Sequence, residues 1–252
     1  MTRSRSRRTA GVMTVAVAVL LLVVGLASGV LDQTTDAAPA PTAPTAPLAT
    51  PTPTPPAPSA APTPRSALDL LASLPVKGRA SKTGYDRAQY GPRWQDVDHN
   101  GCDTRNDILG AQLTGPVRDG RCKVTAGTLH DPYIGTTIDF VRGQGTSELV
   151  QIDHVVALSD AWQKGAQALT PELRTALAND PLNLLAVDGG SNSQKRDGDA
   201  ATWLPKNKAF RCAYVARQVA VKARYGLWVT PAEHDAIARV LATCPGEPAP
   251  VR

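Results

Sequence analysis

The sequence contains no Cys-x-x-Cys pair, so its four cysteines are not spaced for a zinc ribbon. It contains no internal repeat, which removes solenoids, propellers and arrays. Histidine is scarce, with four in the chain. Three of them, His99, His130 and His234, have no partner at metal-ligand spacing and read as structural or surface residues. Aromatics make up only 4% of the chain, and Trp94, Trp162, Trp203 and Trp228 are scattered. That scatter does not make a stacking platform for bases. A strong charge of one sign is also missing. The formal net charge is +5, but residues 1–36 hold four Arg and two Asp, and setting them aside leaves 23 basic against 20 acidic residues. A balance of +3 neither marks nor excludes a polyanion partner.

What is present divides the chain into parts. Arg3, Arg5, Arg7 and Arg8 precede an uncharged stretch from Ala10 to Leu31. A basic start followed by an apolar run reads as a secretory signal. The run is also long enough to span a bilayer as an anchor. Ala27-Ser28-Gly29 and Asp36-Ala37-Ala38 offer small residues for cleavage. In either case the Arg cluster stays inside, and the rest of the chain lies outside the cytoplasm. Residues 37–66 are mostly Ala, Pro, Thr and Ser, a stiff spacer that cannot bury a core. Residues 67–247 remain for one well-packed domain, with 248–252 as a tail.

Cys102, Cys122, Cys212 and Cys244 all lie in that domain. An even number in an exported chain reads as disulfides. Cys102–Cys122 and Cys212–Cys244 are the favoured pairs, because each is near in sequence and each ties adjacent elements together.

Periodicity predicts helices over 67–73, 104–113, 170–179, 208–224 and 231–243, the last opened by a capping box at Thr230 and Glu233. Strands are expected over 122–128, 136–141, 148–158 and 182–187. A helix from Ser159 or Asp160 is expected to run to about Gln167. Asp188-Gly189-Gly190 reads as a turn, followed by a helix in the first half of 191–205.

The stretch VQIDHVVALSD, 150–160, sets a carboxylate and an imidazole inside an apolar run. Burying both is costly unless something binds them. Side chains alternate along a strand, so Asp153 and His154 share a site only if the strand bends or ends there. Asp153 then offers an oxygen to a hard cation, and Asn192 offers its amide oxygen. Two protein oxygens completed by water and phosphate suit Mg2+, with Mn2+ and Zn2+ as alternatives. His154, beside the ion, is placed to accept a proton from water.

The ordered set Asp153-His154, Asn183 in LNLLAV, and Asn192-x-x-Lys195 resembles the HNH, or His-Me finger, nucleases. The core resemblance covers about 150–203. The wider pattern, through YDRAQYG, NGCDTRND, HDPYIG and NDPLNLLAV, is similar to exported bacterial HNH-family proteins. The resemblance implies an α+β fold with a ββα-metal core, additional helices and a small antiparallel sheet. It implies a metal-dependent endonuclease acting on DNA or RNA. His154 is then the general base, Asp153 and Asn192 hold the metal, and Asn183 fixes the loop or the His. Lys195, Arg196 and Arg105 are counted as nucleic-acid contacts, with Lys195 also placed among the catalytic groups. Arg87, Asp103 and Arg105 can brace the active site or meet phosphate, and the resemblance fixes no role for them. The third position is Asn192 where a His also occurs in the family, which weakens a zinc reading.

Three blander readings compete. Asp153 and His154 can be a satisfied core pair, and Lys195 with Arg196 a solvated helix face. The domain can be a catalytically silent extracellular binding module. Residues 96–107 can be a calcium loop, with Asp96, Asp98, Asn100 and Gly101 in EF-hand order. Asp107 there stands where a bidentate Glu is usual. The alternative for that loop is a turn held by Asx hydrogen bonds and Cys102.

Overall fold

Local side-chain chemistry sets the helix ends in the structure, a computed structural model that describes residues 65–251. The expected signal or anchor at 1–36 and all but the last two residues of the spacer lie outside the described residues. Helix α1 (Ala67–Ala72) is capped by Ser66, which accepts from the Asp69 amide. Helix α2 (Thr104–Gln112) is capped by Asp103. The three strands that follow, β1 (Thr114–Asp119), β2 (Lys123–His130) and β3 (Thr137–Val141), form one antiparallel sheet in that order. Strand β1 was not expected. Its Gly115 and Pro116 hide it, and its register with β2 shifts at those positions, as an edge strand tolerates.

Strand β4 (Val150–His154) pairs antiparallel with β5 (Leu184–Asp188), with Asp153 opposite Leu185 and His154 opposite Leu184. The expected strand over 148–158 is therefore too long at both ends. Residues Ser147–Leu149 form a 3-10 turn. Beyond His154 the ladder stops because Asn183 intervenes. Its carbonyl accepts from the Val155 amide at 2.8 Å, and its side-chain oxygen accepts from the Val156 amide at 2.8 Å.

Helix α3 (Leu158–Trp162) is shorter than expected, and a turn at Gly165 (φ 120°) separates it from a 3-10 segment at Ala166–Ala168. The Trp228 ring lies 3.1 Å from where a Cβ at Gly165 would stand. Helix α4 (Pro171–Asn179) has the expected Thr170 cap. The residues read as a turn, Asp188-Gly189-Gly190, instead open helix α5 (Gly189–Lys195), which Asp188 caps. Gly189 is required there because a Cβ would fall on the carbonyl oxygen of Glu148. Helices α6 (Arg211–Arg224) and α7 (Pro231–Leu241) close the fold, α7 with both halves of its capping box.

The β4–β5 pair is buried on both faces. Val150, Ile152, Leu184 and Ala186 pack toward Ile108, Leu109, Val124 and Phe140 of α2 and the three-stranded sheet. Leu185 and Val187 pack on the opposite side, into the larger core of α1, α4, α6 and α7. Two-sided burial is why β5 reads as an unbroken apolar run. The disulfides are Cys102–Cys122 and Cys212–Cys244, as expected. The second puts the start of α6 beside the end of α7.

A buried ionic cluster joins the helical half. Lys164 Nζ lies 2.7 Å from each of Asp160, Asp199 and Glu233. Lys222 Nζ lies 2.9 Å from Glu233, and Arg79 reaches Asp160 and Asp199 at 2.8 and 2.7 Å. Three cations balance three anions, so the cluster is neutral as a set. Removing one member leaves buried charge without a partner, at a cost of about 3–5 kcal/mol. Lys164→Met is expected to lose that much in urea unfolding. A loss below about 1 kcal/mol, within the range of an exposed pair, would show that the cluster does not brace the fold.

Candidate active site

The end of β4, helix α5 and the 3-10 turn Arg87–Tyr90 meet around a cleft of about 300 Å³. Its walls include Arg87, Asp153, His154, Asn192, Arg196 and Asp197. Asp153, His154 and Asn192, singled out in the sequence, thus share one cavity. A larger groove of about 550 Å³ runs along α4 past Asn179, but it holds none of these three groups.

Asp153 faces the α6 side of the hairpin. Its Oδ2 accepts from Tyr133 OH at 2.5 Å, and its Oδ1 accepts from Lys195 Nζ at 2.9 Å. Burial pushes the carboxyl pKa up, while Lys195 and Tyr133 pull it down. Burial also pushes the Tyr133 phenol well above its usual value, which keeps it a proton donor. Tyr133 is held edge-on by Trp203 and Tyr214. The turn that carries it is fixed by Asp131, which accepts from the amides of Ile134 (2.6 Å) and Asp188 (2.7 Å). That second bond couples the β2–β3 connection to the start of α5.

Lys195 requires a correction. It was expected beside phosphate or on a solvated face, yet it is 2% exposed and spans Asp153 and the His154 carbonyl, the latter at 2.8 Å. Its two acceptors and its burial make it an internal brace, and it does not line the cleft.

His154 points to the other side of the strand, where the Trp94 ring lies nearly parallel to it at 7°. Its Nε2 is 2.9 Å from the Ala178 carbonyl. A carbonyl only accepts, so Nε2 carries the hydrogen and the lone pair of neutral His154 is on Nδ1. Burial pushes the imidazole pKa down to about 4, with Arg87 and Lys195 lowering it further and the Ala178 bond opposing. Asn183 is fully buried, and its Nδ2 donates to the carbonyls of Val156 and Leu177. It locks the segment after His154 to the end of α4, where Ala178 sits. This is a loop-fixing position, buried away from any reacting atom.

Asn192 is oriented by a chain of amides. The Glu148 carbonyl accepts from Gln151 Nε2 at 3.3 Å, which turns Gln151 Oε1 toward Asn192 Nδ2 at 2.8 Å. The nitrogen is thereby committed and Oδ1 remains as the acceptor. Asp153 retains further lone pairs beyond its two hydrogen bonds. These are hard oxygen donors, a fit for a magnesium-like ion that keeps several waters. Arg196 ends α5 with φ 52°, a rare value for a non-glycine residue. Arg105 donates to the Val150 carbonyl at 3.2 Å, at the far end of β4, and is not among the residues lining the cleft.

The loop at 96–107 folds as Asx turns. Asp96 accepts from the amides of Asn100 and Gly101 (3.2 and 2.8 Å), and Asn100 Oδ1 accepts from the Cys102 amide at 2.7 Å. Among the described residues, no group of three or more His, Cys, Asp or Glu is placed to share an ion. The calcium-loop reading is therefore replaced by the structural turn.

Tyr133, Trp94 and Gln151 were not anticipated. Each acts through a contact distant in sequence, and no local spacing signals it.

The β4–β5 pair runs straight into helix α5, with Asp-His ending the first strand and Asn192 on the helix. The chain belongs to the family described as GmrSD restriction endonucleases, C-terminal domain, which matches residues 103–240. An uncharacterized secreted protein from Arthroderma benhamiae is 36% identical over 199 residues, covering 78% of this chain and 93% of that protein. No solved structure matches. Family membership points to a nuclease-type function, with nucleic acid as the substrate class.

The depressed His154 value has a signed consequence. The unfolded chain takes up this proton near 6.5 and the folded chain near 4. Between those values the unfolded state holds more protons, so stability falls as pH is lowered through the window. An NMR titration in EDTA is expected to place His154 near 4, and His154→Gln is expected to flatten that part of the stability profile. A His154 midpoint near 6.5 contradicts the buried environment.

Proposed function

We propose that this domain is a secreted, metal-dependent endonuclease of the HNH type, hydrolysing phosphodiester bonds in DNA. The observation that carries the reading is the shared cleft. His154, with its Nδ1 lone pair uncommitted, lines the same cavity as the two oxygen-bearing side chains Asp153 and Asn192. His154 Nδ1 accepts a proton from the attacking water. The positive charge that forms on the ring is met at Nε2–H by the Ala178 carbonyl. Asp153 and Asn192 would hold a divalent cation, Mg2+ first. When bound, the ion supplies Lewis-acid stabilisation of charge on the phosphate and the leaving oxygen. Arg196, exposed at the rim, meets the substrate backbone.

Secretion draws on three observations: a basic, apolar N-terminal sequence, two disulfides, and a similar protein described as secreted. DNA is preferred to RNA as the first substrate to test. A silent binding module is disfavoured, because it has no use for a cleft-lining imidazole whose tautomer is set and whose Nδ1 has no partner.

Plasmid cleavage in Mg2+, Mn2+ and EDTA tests the reading, with a structured RNA assayed in parallel. The wild type is expected to nick DNA with metal and to stop in EDTA. His154→Ala is expected to lose about 10²–10⁴ in rate while binding DNA in EDTA as the wild type does. Asn192→Ala is expected to raise the metal concentration needed for half-maximal cleavage. Wild-type rates in His154→Ala, or cleavage indifferent to EDTA, overturn the mechanism.

A further inference from the structure

The cleft contains an arginine that the mechanism above leaves unused. Arg87 lines it together with Asp153, His154 and Asn192. Its Nη1 is buried and has no hydrogen-bond partner, and no carboxylate lies within ion-pair distance of its guanidinium among the described residues. Of the two acids that share the cleft, Asp153 is held by Tyr133 and Lys195, and Asp197 by Lys82 at 3.4 Å and Ser159 at 3.2 Å. Both aspartates of the cleft are thus engaged elsewhere, and the charge that acts on Arg87 includes other arginines. Burial, and then Arg93, push the Arg87 pKa down, and Arg196 lines the same cavity.

The segment that carries Arg87 is held firmly. Asp86 accepts from the Ala88 amide at 2.7 Å and caps the turn. Tyr90 is fully buried and donates to the Leu158 carbonyl at 2.8 Å. Arg174 donates to the Gln89 carbonyl at 2.9 Å. Gly91, at φ 73°, lets the chain pass against Thr175, whose Oγ1 lies 2.6 Å from where a Cβ would be. A buried donor without an acceptor is costly, and native proteins rarely keep one without a reason. Here an entire turn is anchored so as to keep one. The complement of a fixed, unpaired guanidinium donor is an anionic oxygen.

We infer that Arg87 is the phosphate-seating residue of this cleft, its Nη1 donating to a non-bridging oxygen of the phosphodiester held beside His154. This rests on the nuclease reading for the identity of the anion, but its observation is independent of His154 and of any metal. The guanidinium fork also orients the phosphate, which a lysine ammonium does not do.

Binding of a fluorescein-labelled 12-base-pair duplex, read by anisotropy in EDTA between about 50 and 200 mM salt, tests the inference. Wild type, Arg87→Ala, Arg87→Gln and the surface control Arg239→Ala are compared. Both Arg87 variants are expected to bind about tenfold more weakly. Their log–log salt slope is expected to shrink by about 0.9, the value of one phosphate contact. Arg87→Gln keeps much of the side-chain volume and carries the test if Arg87→Ala does not fold. Arg239→Ala is expected to match the wild type. Unchanged affinity and slope in a folded Arg87 variant overturn the seat, and so does a wild-type protein that does not bind the duplex. Cleavage assays separate the two proposals. Arg87-dependent binding without metal-dependent cleavage sinks the nuclease reading and keeps the seat. Cleavage with wild-type kcat/KM in Arg87→Gln does the reverse.

Discussion

The ion pair between Lys195 and Asp153 is the contact on which the site's geometry depends. It joins the last turn of α5 to the end of β4, and the same ammonium holds the His154 carbonyl. Without it, Asp153 would be a carboxylate sealed from water with only Tyr133 to satisfy it. Such a group would be forced toward its neutral form. With it, the ammonium opposes that push, and α5 is set at a fixed height on the hairpin. Asn192 and Lys195 are three residues apart on that short helix, so anchoring one sets the position of the other. The amide chain from Glu148 through Gln151 then sets the rotation of the Asn192 side chain.

The hairpin solves a problem of direction. Asp153 and His154 leave the strand on opposite faces, and each face meets a different set of supports. Asp153 enters an aromatic bed made by Tyr133, Trp203 and Tyr214. His154 lies against Trp94 and the end of α4. The strand stops at His154 because Asn183 takes the next two amides, and at that terminus both faces border one cleft. Asn183 therefore shapes the cleft through the backbone, by ending the ladder at His154.

Much of this order was legible in the sequence, and the reasons differ by residue. Asp153 and His154 stood out because charge inside an apolar run demands an explanation. The disulfide pairs were legible because each bridges neighbouring elements, and the capping box of α7 because its signal is local. Strand β1 was hidden by Gly115 and Pro116, residues that ordinarily argue against a strand. Lys195 was misplaced because a lysine at the end of a polar helix reads as solvated, and only tertiary packing shows the helix end turned inward. Tyr133 and Trp94 lie 20 and 60 positions before the residues they support, and no periodicity spans such distances. The GmrSD match shows the family across 103–240, but Trp94 and Arg87 fall before that range. Supports upstream of a family's boundary are found from the geometry alone.

The charge of the site argues for how metal and substrate would enter together. Lys195 cancels most of the charge on Asp153, and Asn192 is neutral, so the protein offers a divalent cation little net attraction of its own. Arg87 and Arg196 add positive charge to the same cavity. On the proposed nuclease reading, a cation alone would be poorly held, whereas a phosphodiester alone would be drawn in by the arginines. A seated phosphate would then supply the negative charge that the protein lacks. A site built this way would bind a divalent cation most strongly with substrate present.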